Sequence, residues 1–331
     1  MSFMTQEKLV KPNCSYGEVT LPELEWQKHR SERYWEYRRK WAEIPQKQIT
    51  TDFPIHLDIE TTSVCNLLCP MCPRTIKIED GTFGEVGHMS MDLYKKIIDE
   101  GSKNNLYSVK LMSLGEPLLD PEIVQRIKYA KDNGVEEVMF NTNATNLTDK
   151  MAHDILEAGL DSIFFSIDGL KEQYEKIRIG AHYESVVKNI ENFLRIVDEN
   201  GYKHVQTRAS LVVMPGMEEI IDEYTQFWLP KVGMVGLGEW MVRTEKADEK
   251  DYNPDFKCAQ PFQRMFVLMD GVCTPCCLDD GKNYVVGNAN KNSISEIWHG
   301  EKATALRAAQ KNGRYYDIDI CKKCAMPFAK K

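Results

Sequence analysis

Eight of the ten cysteines in this 331-residue chain lie in three tight groups. The first group, in the segment TTSVCNLLCPMCPRT, is a C-x3-C-x2-C array, and the other two lie near the C-terminal end as DGVCTPCC and CKKC. Grouped thiols of this kind hold metals. A secreted disulfide scaffold would need a much shorter chain with an export signal. We therefore expect metal centres rather than disulfides.

The first array consists of Cys65, Cys69 and Cys72, and it directly follows a predicted strand. Three thiolates on one loop can hold three irons of a [4Fe–4S] cubane and leave the fourth iron open. A structural zinc site is the alternative, but zinc takes four closed ligands and the loop has no fourth Cys or His close by. The array therefore predicts a cluster whose free iron can bind something other than protein.

Six further cysteines lie in the last quarter of the chain. Six thiols exceed what one cubane needs and fall short of two fully ligated cubanes, so one cluster with two spare thiols is the economical assignment. Four of them form the pattern C-x17-C-x44-C-x2-C, namely Cys258, Cys276, Cys321 and Cys324. Zinc on these four thiols remains an alternative. The spare thiols would be Cys273 and Cys277, which are either small buried hydrophobes or, in one case, a hydrogen-atom donor.

The elements that must position the first array alternate between strand and helix patterns. Six runs predict strands, namely HLDIETT, LYSVKLMSL, VEEVMFNTN, DSIFFSID, HVQTRASLVVM and MVGLGEW. Segments with apolar residues at helical spacing lie between them. Strands that alternate with helices form parallel sheets with right-handed crossovers. We therefore predict an α/β fold, a partial (β/α)6 TIM-like barrel, whose active site lies at the C-terminal ends of the strands.

Three segments of different character predict three domains. Residues 1–50 contain the charged and aromatic run LPELEWQKHRSERYWEYRRKWAEI, which indicates an N-terminal helical arm. Residues 51–248 would form the barrel. The periodicity then breaks into sequence rich in cysteine and turns, so residues 249–331 are predicted to form a small C-terminal iron–sulfur cap, with SISEIWHGEKATALRAAQ as one helix.

Net charge and hydropathy limit the classes of partner that fit this sequence. The formal net charge is −8, from 42 basic and 50 acidic residues, without a basic stripe. Nucleic acid and anionic membranes are therefore poor candidates, and a small-molecule substrate fits better. The first twenty residues contain no apolar signal region, and no run approaches the roughly 20 apolar residues of a membrane span. We expect a cytoplasmic protein.

The motifs together resemble the radical S-adenosylmethionine (SAM) superfamily, and the C-terminal part is similar to the SPASM and twitch domains of that family, as in the phrases DGVCTPCC and SISEIWHG. The resemblance covers about residues 53–331. It implies that the first cluster binds the amino and carboxylate groups of SAM through its open iron, and that an auxiliary [4Fe–4S] cluster lies in the cap. The cysteine spacing of the cap is most similar to members with one auxiliary cluster, including dehydrogenases of aminocyclitols and sugars.

The resemblance also implies SAM contacts after several strands. The segment SLGEP is similar to the family's Gly-Gly-Glu-Pro element, with Leu114 in place of its first Gly, and SIDG resembles its Ser-x-Asp-Gly element. The residues assigned to SAM on this basis are Met71, Gly115, Glu116, Asn141, Asn143, Ser166, Asp168 and Arg178. Asn141 and Asn143 could equally cap a turn. Arg178 is either a partner of the SAM carboxylate or a solvated helix residue.

The implied reaction is reductive cleavage of SAM to a 5′-deoxyadenosyl radical, which abstracts hydrogen from a substrate carbon. With the auxiliary cluster as electron acceptor, an alcohol would be oxidised to a ketone, and Glu239 or Arg243 would take the hydroxyl proton unless they form a surface pair. An epimerase that uses a thiol such as Cys277 as hydrogen donor is one alternative, and a ribosomal-peptide maturase is another. A non-catalytic scaffold would not need SLGEP and SIDG. Flavodoxin or ferredoxin is the expected electron donor.

Overall fold

The computed structural model describes residues 16–240, 253, 255–279, 281–324 and 326. Within these residues, ten strands form one sheet in the order β1-β7-β6-β5-β4-β3-β2-β8-β9-β10. The strands are β1 (Tyr16–Thr20), β2 (His56–Ile59), β3 (Ser108–Lys110), β4 (Glu137–Thr142), β5 (Ser162–Ser166), β6 (Gln206–Val213), β7 (Met234–Glu239), β8 (Arg264–Val267), β9 (Val272–Thr274) and β10 (Gly287–Asn288).

Neighbouring strands from β2 to β7 are all parallel. They coincide with the six predicted strands, and the chain crosses over through helices as predicted. The sheet does not close, because β1 and β10 end it on either side. The predicted α/β fold with a partial TIM-like barrel is therefore confirmed.

Helices carry the connections, and those between β2 and β7 pack on the outer face of the sheet. The helices are α1 (Glu25–Lys28), α2 (Glu32–Lys47), α3 (Pro73–Glu79), α4 (Met91–Lys103), α5 (Ile123–Asp132), α6 (Asp149–Glu157), α7 (Lys171–Ile177), α8 (Tyr183–Glu199), α9 (Ile221–Val232), α10 (Gln260–Gln263), α11 (Ile294–His299), α12 (Glu301–Lys311) and α13 (Asp319–Lys322). The expectation of one helix over SISEIWHGEKATALRAAQ is wrong, because Gly300 takes an extended conformation with ψ 160° and separates α11 from α12.

Alternation along the strands divides their side chains between two environments. Val138 and Phe140 of β4 are fully buried against the helices, whereas Asn141 faces the barrel interior and is only half-buried. The same period of two holds in β2, where Leu57 and Ile59 are fully buried in the helix-side core. We call the space enclosed by the inward side chains the lumen.

The N-terminal segment closes the barrel at the N-terminal ends of the strands. The expected helices form as α1 and α2, and strand β1, which the sequence pattern did not indicate, pairs antiparallel with β7. Tyr37 of α2 is 1% exposed and stacks on Tyr107, with ring centroids 5.8 Å apart. Arg30 donates hydrogen bonds to the Asp161 carbonyl oxygen at 2.7 Å and to Ser162 Oγ at 2.9 Å, at the start of β5.

The barrel sheet continues into the cysteine-rich segment. Strand β8 pairs in parallel with β2 along four residues and is followed by the antiparallel strands β9 and β10. This seventh parallel strand was not predicted, because four residues between cysteines carry too little periodicity. The sheet thus crosses the predicted boundary at residue 248, and the boundary itself stays a prediction.

None of the helices in the described part of the chain is long and apolar enough to cross a bilayer.

Candidate active site

The loop that carries the first cysteine array begins where β2 ends and runs into α3, whose N-cap is Cys72. The Cys72 amide donates to the Cys69 carbonyl oxygen at 3.0 Å, so the loop folds back on itself. Burial raises the pKa of the Cys69 thiol to about 11, and the charge of Arg178 acts in the opposite direction. Thiols in such surroundings ionise when a metal binds them. The loop therefore suits a metal centre held at the C-terminal end of β2.

The SLGEP segment is packed directly against this loop. A Cβ atom on Gly115 would lie 2.1 Å from the carbonyl oxygen of Thr62, so that position has no room for a side chain. The amide of Glu116 donates to the carbonyl oxygen of Val64 at 2.8 Å. Gly115 therefore permits the close approach of the backbone that leads into Cys65.

The Glu116 side chain joins the ends of two strands. It is 3% exposed and accepts hydrogen bonds from Thr142 Oγ1 at 2.6 Å, from the Asn143 amide at 2.7 Å and from the Leu118 amide at 3.2 Å. Burial raises the pKa of Glu116, and these hydrogen bonds act in the opposite direction. Within the protein, the carboxylate fixes the end of β4 to SLGEP. Its contact with the SAM ammonium stays a prediction.

The two asparagines of the NTN segment lie in different environments. Asn143 makes a turn, because its Oδ1 accepts from the Thr145 amide at 2.9 Å while its Nδ2 donates to Asn66 Oδ1 at 3.0 Å. Asn143 therefore forms a turn, which is the alternative role predicted for it. Through Asn66 it also holds the cysteine loop in place. Asn141 Oδ1 is buried without a hydrogen-bond partner in the described structure. Of the pair, Asn141 is the one with an acceptor to offer to a ligand.

The SIDG segment and Arg178 meet next to the cysteine loop. Asp168 is fully buried, accepts from the Val212 amide at 2.7 Å, and its Oδ2 lies 2.5 Å from Arg178 Nη2. Arg178 Nη1 also donates to Cys69 Sγ at 3.8 Å. The Arg178 side chain is 15% exposed, so the solvated-helix alternative does not hold. Ser166, the last residue of β5, is half-buried.

Taken together, these contacts test whether the site fits SAM and a cluster. The cysteine loop touches SLGEP through Glu116, the NTN turn through Asn66, and the segment after α7 through the hydrogen bond from Leu68 N to Ile179 O at 3.0 Å. Met71, on the same loop, is half-buried against the core. The unpaired Asn141 oxygen leaves an acceptor that a bound group can use. The residues present therefore fit the implied cofactors.

The four cap cysteines assigned to an auxiliary cluster influence one another's pKa. Burial raises the pKa of Cys258, and the charges of Cys321 and Cys324 raise it further. Burial likewise raises the pKa of Cys276, with a further contribution from Cys258. In the described part of the chain, no three Cys, His, Asp or Glu side chains converge tightly enough for one metal ion.

The two spare thiols have different surroundings. Cys273 of β9 is fully buried in the core, and its Sγ lies 3.5 Å from the Gly271 carbonyl oxygen, so it is a structural residue. Cys277 is accessible and lines a cavity of about 280 Å³ between the loop after β2 and the cap. Cys277 is open to the cavity, but the protein atoms packed around it still raise the pKa of its thiol, and the charge of Arg264 lowers it. Of the two, only Cys277 faces a space that a substrate can enter.

The remaining catalytic predictions fall where side chains are not described. Glu239 ends β7, but its side chain lies outside the described part of the structure, and Arg243 lies outside the described residues. Both stay predictions.

Sequence reasoning missed a row of charged side chains across the lumen. Asp58 of β2 pairs in register with Lys110 of β3 and with Phe266 of β8. Asp58 lies 3.4 Å from Arg264, and although burial raises its pKa, Arg264 and His56 together lower it to about 2. The signal was available in HLDIE, where charged and apolar residues alternate within a strand that is buried on both faces.

Comparison with known proteins supports this arrangement. Residues 59–224 match the family model described as the radical SAM superfamily, and residues 258–325 match the SPASM model, described as an iron–sulfur cluster-binding domain. Two solved structures share the fold. BtrN in complex with AdoMet and 2-DOIA has a TM-score of 0.57 at 22% identity, over 83% of this chain and 94% of that one. AnSMEcpe with bound AdoMet has a TM-score of 0.61 at 15% identity, over 82% and 89%.

Curated relatives include three kinds of protein. The tungsten-containing aldehyde ferredoxin oxidoreductase cofactor-modifying protein of Pyrococcus furiosus is 29% identical, over 80% of this chain and 86% of its own length. The SAM-dependent 2-deoxy-scyllo-inosamine dehydrogenase of Niallia circulans is 24% identical, over 81% and 91%. A probable GTP 3′,8-cyclase of Methanococcus maripaludis is 34% identical, but the match spans only 42% of this chain and 45% of the cyclase.

Proposed function

Because the chain belongs to the radical SAM superfamily, we propose that it oxidises an alcohol carbon of a small sugar-like or aminocyclitol-like molecule. Family membership implies a [4Fe–4S] cluster with SAM, and the SPASM match implies a cluster in the cap. When bound, these cofactors supply a 5′-deoxyadenosyl radical for hydrogen abstraction and an acceptor for the second electron. The dehydrogenase of Niallia circulans supports this choice, because its similarity extends over most of both chains.

The position of Cys277 carries the proposal. Its thiol interacts with Arg264, Asp58 and Lys110 of the barrel, and its charge also raises the pKa of the adjacent Cys276. A cluster bound by Cys276 would therefore lie next to Cys277, the residue that interacts with the side chains of the lumen. An electron acceptor at that place can serve a substrate in the barrel, whereas a cluster used only for folding has no need to be there.

We assign the cofactor ligands by the contacts described above. Cys65, Cys69 and Cys72 would hold the first cluster, and Cys258, Cys276, Cys321 and Cys324 the auxiliary one. The side chains that orient SAM would be those of Asn141 and Arg178. Gly115, which has no side chain, would allow SLGEP to lie against the cysteine loop. Glu239 or Arg243 would accept the hydroxyl proton of the substrate. The protein would act in the cytoplasm.

Iron content and SAM cleavage test the assignment. The triple variant of Cys65, Cys69 and Cys72 to Ala should retain about half the iron of the reconstituted enzyme and form no 5′-deoxyadenosine with SAM and a strong reductant. The matched variant of Cys321 and Cys324 to Ala should lose the other half of the iron. Unchanged 5′-deoxyadenosine formation in the triple variant would refute the assignment.

An epimerase is the second candidate, and the accessible Cys277 thiol favours it. An epimerase returns a hydrogen atom to the opposite face of the substrate carbon, whereas a dehydrogenase yields a ketone. Turnover in deuterium oxide separates the two: the epimerase leaves solvent deuterium on the product carbon, and Cys277→Ala prevents it. The matched variant Cys273→Ala should not change deuterium uptake, because Cys273 is confined to the core.

Electrons would reach the first cluster from a flavodoxin or ferredoxin. Leu68 lies between Cys65 and Cys69 and is 49% exposed, and Ile179, to which its amide is bonded, is 47% exposed. We propose that the donor contacts this apolar pair. Leu68→Asp should slow SAM cleavage with reduced flavodoxin and leave the rate with dithionite unchanged. Equal slowing with both reductants would contradict this contact.

A further inference from the structure

Three cationic side chains project into the lumen from three strands. They are Lys110 at the end of β3, Arg208 in β6 and Arg264 at the start of β8. Lys110 interacts with both arginines and with Asp58. Chain segments that are about 150 residues apart in sequence therefore bring positive charge to one place in the lumen.

Two of the three cations have partners that hold them in place. The Arg208 guanidinium carbon lies 3.9 Å from the centroid of the Phe164 ring, and its Nη1 is 2.7 Å from Glu18 Oε1. Gly236 provides the space, since a Cβ there would lie 3.0 Å from Arg208 Nε. Arg264 Nη1 lies 3.4 Å from Asp58 Oδ2.

Lys110 and one nitrogen of Arg264 are left without partners among the described residues. Arg264 Nε is buried without a hydrogen-bond acceptor in the described structure. Among the described residues, Lys110 Nζ has no hydrogen-bond acceptor and no carboxylate within ion-pair distance, although Asp58 acts on it from further away. Lys110 and Arg264 are both half-buried, so each side chain keeps part of its surface accessible.

The charges of this cluster do not balance. Three cations face two carboxylates, Asp58 and Glu18. Burial lowers the pKa of His56. Glu60, which follows β2, accepts from the Leu114 and Met269 amides at 3.2 Å each, and among the described residues it forms no ion pair with these cations. Burial and the two arginines lower the pKa of Lys110 to about 8, with Asp58 opposing them. A buried cation without a partner is costly, which is why such groups mark binding sites.

We propose that Lys110, with Arg264 and Arg208, binds a phosphate or carboxylate group of the small-molecule substrate. An anion at this place satisfies the free donors of Lys110 and Arg264 and balances the charge of the cluster. It would anchor one end of the substrate in the lumen, with its alcohol carbon towards the SAM-binding strand ends. The inference rests on the proposed oxidation and narrows its substrate class to anionic sugars or cyclitols, because a cationic aminocyclitol would be repelled here.

Direct binding of small anions tests the proposal. The probes are inorganic phosphate for a phosphate group and acetate for a carboxylate, titrated calorimetrically into the reconstituted enzyme with SAM at pH 7. At least one should bind with a dissociation constant in the millimolar range. Lys110→Met should weaken that binding by about 10-fold, Lys110→Arg should largely restore it, and the exposed control Lys103→Met should leave it unchanged.

The pH dependence supplies a second readout. Sulfate keeps its charge between pH 7 and pH 9, so its affinity should fall as Lys110 loses its proton near pH 8, and Lys110→Met should abolish this dependence. Equal anion affinity in the wild type and Lys110→Met, or no measurable binding to the wild type, would overturn the proposal. Formation of 5′-deoxyadenosine by the wild type is measured separately, so failure of the proposed oxidation is distinguishable from failure of the anion site.

Discussion

Single residues at the cysteine loop decide how closely the barrel elements approach one another. Gly115 lets the SLGEP backbone touch Thr62, and Arg178 links Asp168 to Cys69. Lys110 contributes a charge that the described residues around it do not neutralise. At each of these positions the local structure depends on a missing methyl group or on one charge, so a single substitution can test its role.

Gly115→Ala should abolish SAM cleavage and weaken SAM binding by about 10-fold or more, because the added methyl group would force SLGEP away from the cysteine loop. Calorimetric titration of SAM and assay of 5′-deoxyadenosine measure the two effects. Gly84→Ala is the matched control, since a Cβ on Gly84 meets nothing within 4 Å. Normal SAM affinity in Gly115→Ala would show that the contact has no role in binding.

Asp168→Asn should lower the free energy of unfolding by about 3 kcal/mol, because it leaves Arg178 without its carboxylate. The amide oxygen can still accept from Val212, so the change isolates the ion pair. Chemical denaturation measures the loss. The exposed pair Lys128–Asp132 is the control, and Asp132→Asn should cost less than about 0.5 kcal/mol. Similar losses in both variants would contradict a special role for the buried pair.

Lys110→Met should raise the free energy of unfolding at pH 7 by about 1–3 kcal/mol, because it removes a charge that burial disfavours. The folded-state pKa of Lys110, about 8, is below the unfolded value of 10.5, so its destabilising effect is fully present below pH 8. That effect disappears as the pH rises towards 10.5. Denaturation of both proteins at pH 7 and pH 10 checks the sign, and a variant less stable than the wild type at pH 7 would contradict it.

At the scale of elements, α2 closes the barrel at the end opposite the cysteine loop. Its aromatic residues Tyr34 and Tyr37 pack with Ile55, Tyr107 and Phe262, which lie beside the starts of strands. The inner layer of polar side chains, such as His56 and Glu137, lies directly above and would otherwise meet water. The helix therefore gives the lumen a floor.

Tyr37→Ala should destabilise the protein by about 3–5 kcal/mol, because it removes a 1% exposed ring that stacks on Tyr107. Glu43→Ala, an exposed position on the same helix, should change the free energy of unfolding by less than about 0.5 kcal/mol. Thermal or urea unfolding measures both. A loss below 1 kcal/mol in Tyr37→Ala would mean that the helix can detach without cost.

At the scale of the whole molecule, the barrel and the cysteine-rich segment share one sheet. Strand β8 covers the edge of β2, all four residues of which are buried, and the same segment carries Cys276 and Cys277 towards the lumen. Lys96 of α4 donates a hydrogen bond to the Asn292 carbonyl oxygen at 3.1 Å, which adds a second link between the two parts. The cap is therefore attached through backbone pairing as well as side chains.

A fragment of residues 1–255 should fail to give a soluble protein that binds SAM, because removal of β8 leaves the β2 edge unpaired and apolar. Expression, size-exclusion chromatography and SAM titration check this. The full-length variant of Cys321 and Cys324 to Ala is the control, since it keeps β8 and should still bind SAM. A monomeric fragment with normal SAM affinity would show that the barrel is independent of the segment that follows it.

The sequence by itself determined the features that depend on local spacing. Cys65, Cys69 and Cys72 lie within eight residues of one another, so their shared loop can be read directly, and the six parallel strands follow from short-range periodicity. The same local patterns located SLGEP and SIDG. They could not find strand β8, whose periodic signal is short.

Only the tertiary structure decided which distant residues meet. It showed that Arg178 contacts Cys69, that Asn143 makes a turn while Asn141 stays unpaired, and that Cys277 rather than Cys273 faces the cavity. It also brought Lys110 beside Arg264, which depends on β2 pairing with β3 on one side and β8 on the other. Strand pairing between segments so far apart is set by packing of the whole chain, and local spacing carries no record of it.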